Sequence, residues 1–170
     1  MNKQKKELNM KIILWFIRVF IINEGRGKYG SYVYPIKKEV TNNLPDNMVA
    51  RTICTFTGPK VQIRLKYVLD KGVLNHELAH CRQCGRLLIL HPILYKLSKH
   101  YRLLSELQAY REQVKEYQYT KFNEFTWIID RLVNEYNIKF NRTIIRELCV
   151  YTFADILSLN NDKKLHTKRD

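Results

Sequence analysis

Five consecutive residues, His76, Glu77, Leu78, Ala79 and His80, constrain this chain more than any other feature. Histidines four apart act together only on a helix, where residues i and i+4 stack one turn apart on the same face. Both imidazoles can then reach one metal ion, while Glu77, a step around the helix, can hold a water beside it. A protein-borne zinc lowers the pKa of such a water from about 16 to about 7, and Glu77 would serve as general base and proton shuttle in attack on a carbonyl. The plainer reading is a surface helix turn with two solvated imidazoles, so the flanking sequence has to decide.

From Val73 to about Leu90, the residues Leu74, Leu78, Cys81, Gly85 and Leu88 recur at helical spacing as an apolar stripe that can face a core. His76, His80, Gln83 and Leu87 form a second stripe, and Asn75 reads as a cap near the helix start. Upstream, residues 61–68 alternate apolar and polar, as a half-buried strand does, after a turn at Gly58 and Pro59. The run 49–56 is also strand-like. The two are expected to pair as a hairpin leading into the motif helix.

A catalytic zinc site usually has three protein ligands and one open position, so a third ligand is required. A Gly and a His three and six residues past the motif would supply it in one zinc-protease class, but Gln83 and Arg86 stand there. Glu106 is the better candidate. In residues 105–113 a helix would place Glu106, Ala109, Tyr110 and Gln113 on one face, and the small Ala109 would let a second helix come close to the first. The bland alternative makes Glu106, Glu112 and Glu116 solvated helix formers. His91 and His100 are rival ligands. Pro92 marks a helix boundary after His91, which lies about three turns from His80 on an unbroken helix. A break at Gly85 would bring it back into range.

With these residues in place the chain resembles zincin metallopeptidases of the gluzincin branch, in which a Glu on a later helix follows the two-histidine motif. The resemblance spans about residues 60–118. The continuation His80-Cys81-Arg82-Gln83 and the segment from Glu106 to Gln113 are similar to small zincin-like proteins of phages and prophages. The resemblance implies an α+β zincin-like metalloprotease domain, a small antiparallel or mixed sheet packed on the motif helix with a helical C-terminal half. It implies one zinc per chain on His76, His80 and Glu106, with Glu77 catalytic. The substrate would be a peptide or protein lying along the strand before the motif helix. No further gluzincin element matches to stabilise the oxyanion, and Tyr110, one turn beyond Glu106, is the candidate. A ligand at His91 would instead resemble the SprT-like, DNA-associated branch.

At 170 residues and 45% apolar content, one domain with a real core is expected over 31–159, preceded by a basic, apolar segment and connector over 1–30. The polar stretch 160–170 reads as a disordered tail, and 120–159 as two helices separated near 137–141. Ile144, Ile145, Leu148, Val150, Tyr151, Ile156 and Leu157 would supply their apolar surface. The run 12–22 has eleven residues, interrupted by Arg18, against about twenty needed to span a bilayer. It also lacks a small-residue cleavage site. It reads as a strand or helix packed on the core, with a monotopic anchor as the alternative.

Cys81 reads as a core residue, Cys84 is unassigned, and Cys54 and Cys149 stand isolated in apolar segments. Four cysteines without a recognisable export signal point to a reducing cytosol rather than a disulfide framework, with peripheral membrane attachment through the N-terminal segment as an option. The net charge of +14 is spread along the chain. It favours anionic partners in general, so a competing reading is a basic protein that binds nucleic acid or an anionic membrane on a zincin-like scaffold.

Overall fold

Among the described residues three strands precede the motif helix: β1 (Lys37–Val40), β2 (Ala50–Thr55) and β3 (Gly58–Ile63). The computed structural model describes residues 36–87, 90–119, 121–136 and 140–166. The expected hairpin forms, with β2 antiparallel to β3 and Thr55 opposite Gly58 across a two-residue turn. Gly58 takes φ of 114°, a conformation that only glycine adopts without strain. β1, which no alternation announces, adds in parallel on the far side, so the sheet order is β1-β3-β2. β3 buries Pro59, Val61 and Ile63 on one face. Its alternation stops sooner than residues 61–68 imply. Arg64 turns the chain by donating to the carbonyls of Met48, Leu44 and Pro45 at 2.8, 2.6 and 2.9 Å, and Leu65–Tyr67 then form a 3-10 turn.

Among the described residues five α-helices follow: α1 (Lys71–Leu87), α2 (Leu90–Leu97), α3 (Lys99–Tyr117), α4 (Thr126–Asn134) and α5 (Arg142–His166). The cap of α1 is Asp70, whose carboxylate accepts from the Val73 amide at 3.0 Å. Asn75 lies inside the helix and donates to Glu116. α1 ends at Leu87, and the chain has reversed into α2 by Leu90. Leu74 and Leu78, expected in the core, are half-buried. Cys81 of the same stripe is buried as expected, and α1 also buries Val73, Ala79 and Cys84 together with the polar His76, Glu77, His80 and Gln83.

The main core lies on the other side of α3. Leu103, Leu107 and Val114 of α3, Phe125, Ile128 and Leu132 before and within α4, and Ile145, Leu148 and Phe153 of α5 are all essentially inaccessible, and Phe125 packs on Phe153. Val150 and Tyr151 of α5 are exposed rather than core. The helix also continues to His166, past the point where a disordered tail was expected, and buried Asn160 anchors it by donating to the Tyr119 carbonyl at 2.9 Å. The apolar run 12–22 and the connector after it lie outside the described residues. Among the described residues no helix is long and apolar enough to cross a membrane. The architecture is α+β: a small mixed sheet on one side of α1 and helices on the other.

α1 and α3 run antiparallel, since Gly72 meets Tyr117 at one end and Gln83 meets Ser105 at the other. A Cβ on Gly72 would fall 2.3 Å from Tyr117 Cε1. Gly72→Ala should therefore lower stability by about 1–3 kcal/mol through overpacking, although alanine alone would favour a helix by roughly 1 kcal/mol. Thermal unfolding checks this, and an unchanged or raised midpoint would contradict the close helix contact.

Candidate metal centre

His76 and His80, one turn apart on α1, turn their Nε2 atoms toward each other at 3.2 Å. The Glu106 carboxylate comes down from α3 between them, Oε2 at 3.5 Å from His76 Nε2 and Oε1 at 3.4 Å from His80 Nε2. Ligands of a tetrahedral zinc at 2.0–2.1 Å stand about 3.3–3.4 Å apart, so these three side chains have the spacing of such a site. Glu106 is 1% exposed, which removes its reading as a solvated side chain. Glu106 Oε2, one of the converging atoms, is buried without a hydrogen-bond partner, and so is His76 Nδ1 on the far side of its ring, which no neighbouring group among the described residues orients.

Neighbouring groups hold this arrangement. The Gln83 carbonyl oxygen accepts from His80 Nδ1 at 2.8 Å and from the Ser105 hydroxyl at 2.6 Å, so the lone pair of His80 belongs to Nε2, the converging atom. The Gln83 amide in turn donates to the Ser105 carbonyl and to Gln108. Tyr95 of α2 donates its hydroxyl to Glu106 Oε1. Thr52 of β2 donates to Glu77, whose Oε2 lies at 2.7 Å, and so aims the carboxylate beside the histidines. Local sequence assigns Gln83 no orienting role, though a position three residues after His80 is where a helical partner would sit. Tyr95 and Thr52 carried no local signal.

The electrostatics centre on the buried Glu106. Burial alone would lower the pKa of His80, but the Glu106 carboxylate outweighs it and holds the imidazole above its ordinary value. Burial likewise favours neutral Glu106, and the two histidines override it and keep the carboxyl well below the usual range. Tyr95 and Tyr110 are pushed up by burial and by the Glu106 charge, so both remain hydroxyl donors. The carboxylate calls for positive charge at this point, which a proton on the imidazole pair or a divalent cation supplies.

The site opens onto a cleft of about 980 Å³ lined by β2, α1, α2, α3, α4 and their connections, including His76, Glu77, His80 and Glu106. The wall beside Glu77 is β2, an edge strand among the described residues. Both edges of β3, the strand directly before the motif helix, are paired, so a substrate cannot add there. Tyr110 lines the cleft with its ring edge against His76 at 4.6 Å between centroids, and its hydroxyl meets that of Tyr136 at 3.2 Å. One residue braces two sides of the opening. Arg102 donates to the carbonyls of Tyr95, Tyr136 and Lys96 at 2.8, 2.8 and 2.9 Å.

The rival histidines fall elsewhere. The reversal after Leu87 does return His91 to the region of His80, at 6.3 Å between ring centroids. His91 nevertheless groups with Cys54 and Cys84 rather than with the triad, its Nδ1 is held by the Tyr101 hydroxyl at 2.6 Å, and burial lowers its pKa to about 4. His100 packs on Phe140. Cys54 is not isolated and Cys84 is not free: they form a disulfide joining β2 to α1. Residues 30 apart meet because β2 runs along α1, Thr52 meeting Glu77 and Cys81 and Cys54 meeting Cys84, a contact invisible in the local sequence. Cys81 and Cys149 are free and buried.

Comparison with protein-family models, curated proteins and solved structures finds no match to this chain. Gln83→Leu should strand the Ser105 hydroxyl and His80 Nδ1, lowering stability by about 1–3 kcal/mol and weakening zinc binding roughly 10–100-fold. Chemical denaturation and competitive zinc titration measure the two effects. Unaltered zinc affinity would deny Gln83 its orienting role.

Proposed function

We propose that this chain is a zinc-dependent peptidase with a zincin-like domain, acting on a peptide or protein substrate. The reading rests above all on one observation: two imidazole nitrogens and a buried carboxylate converge on the floor of an open cleft, with Glu77 beside them. His76, His80 and Glu106 would hold the metal, with Tyr95 and Gln83 fixing the orientation of two of them. When bound, zinc supplies Lewis-acid polarisation of a carbonyl and a lowered pKa for water.

The remaining work falls to the chain. With Thr52 hydrogen-bonded at Oε2, Glu77 keeps Oε1 to accept a proton from the attacking water and return it to the leaving amine. The edge of β2 that is unpaired among the described residues offers backbone groups to an extended peptide, which would add as a strand and bring its carbonyls past Glu77. Tyr110 and Tyr136 form a hydroxyl pair across the same cleft, and the donor for the developing oxyanion is assigned to this pair.

Purified chain should carry about one zinc, and Glu106→Ala should lose it under mild chelation that leaves the native site filled. Metal analysis of the two proteins side by side decides between this centre and the competing reading as a basic nucleic-acid or membrane binder. No zinc in either would turn attention to the basic surface. Glu77→Gln should keep its zinc and lose cleavage of a peptide library by about 10²–10⁴-fold. Cleavage at the native rate in that variant would overturn the role given to Glu77.

A further inference from the structure

A second set of metal-ligating side chains lies beside the first and shares none of its members. Cys54 at the end of β2, Cys84 in the last turns of α1 and His91 in α2 bring their ligand atoms within 4.8 Å of one another. A strand 30 residues upstream and two consecutive helices converge there. Cys84 and His91 are buried, at 3% and 6% exposure, while Cys54 and His91 also line the main cleft. The His91 ring is oriented as metal-ligating histidines are, one nitrogen engaged by a hydrogen bond from or to a fixed partner and the other left to ligate. Here Tyr101 holds Nδ1 at 2.6 Å, which leaves Nε2.

We infer that Cys54, Cys84 and His91 form a second site for a soft or borderline divalent cation such as zinc, closed while the two sulfurs are bonded and opened by reduction. A cellular dithiol is the reductant. It delivers two electrons and two protons, the Cys54–Cys84 bond breaks, two thiols form, and the reductant leaves as its own disulfide. Metal entry then displaces the two thiol protons, giving two thiolates and one imidazole as ligands. That donor set selects zinc-like ions over magnesium or calcium. Cys54 and His91 border the cleft, which gives an ion a route to these three side chains.

Cobalt(II) titration of the full-length chain tests this independently of any peptidase activity. A cobalt ion bound by thiolate absorbs in the near ultraviolet by sulfur-to-metal charge transfer, and the His76, His80 and Glu106 set has no sulfur to produce that band. The chain reduced with a phosphine and then freed of reductant should develop the band as cobalt is added, and the oxidised chain should not. Cys84→Ser, which retains Cys81 and Cys149, should abolish it, and His91→Ala should weaken the binding that produces it by about 10-fold or more. Circular dichroism verifies that each variant is folded, and Cys54→Ser provides a second removal of the sulfur pair should Cys84→Ser unfold. A reduced, folded chain with both thiols titratable and no band would overturn the inference. So would a band that survives loss of either cysteine, or a disulfide that resists reduction in the folded chain.

Discussion

A carboxylate with almost no access to solvent sits between two imidazoles, and the pairing of α1 with α3 is organised around that charge. Leaving Glu106 alone in the interior would cost several kcal/mol, so the helices can pack only if His76 and His80 face it at short range. Everything that draws the two helices together serves this requirement. Gly72 admits the Tyr117 ring, Tyr117 in turn donates to the Asp70 cap, and Ala109 is fully buried in the face that also carries Glu106. At the opposite end Gln83 is tied to Ser105 and Gln108.

α3 is consequently a wall with two different sides. Toward α4 and α5 it presents Leu103, Leu107 and Val114, and the hydrophobic core of the domain forms there. Toward α1 it presents Glu106, and Tyr110 stands at the border, its ring against His76 of α1 and against Trp127 of α4. This division explains why Leu74 and Leu78 do not end in a core. The space beneath α1 is taken by the site and by the sheet, and of the apolar stripe read from its sequence Cys81 is buried beside Thr52 of β2 while Leu74 and Leu78 stay half-buried.

Glu106 could be found without coordinates because helical periodicity and a small residue three positions later are local properties of the chain. The hairpin was legible for the same kind of reason, from alternation on both sides of a turn. β1 was not, since Lys37 to Val40 has mostly exposed positions and owes its strand geometry to β3. The cap of α1 was misplaced because Asp70 precedes the apolar period by several residues. Tyr95, Thr52 and the meeting of Cys54 with Cys84 depend on the reversal after Leu87 and on the lie of β2 along α1, which are facts of tertiary structure. The end of α5 was set too early because the polar character of residues 160–166 hid the anchoring of Asn160 against Tyr119.

Arg102 gives the cleft its mechanical character. Its planar group grips the backbone where α2 ends and again just beyond α4, so Tyr95 and Tyr136, which stand on different walls, are tied to one rigid spacer. Lysine offers a single nitrogen and cannot span three diverging carbonyls in a fixed plane. The width of the opening is thereby a backbone property. Exchanging the side chains that line it would alter which residues a bound chain meets, whereas making room for a thicker one would require rebuilding the peptide units at Tyr95, Lys96 and Tyr136.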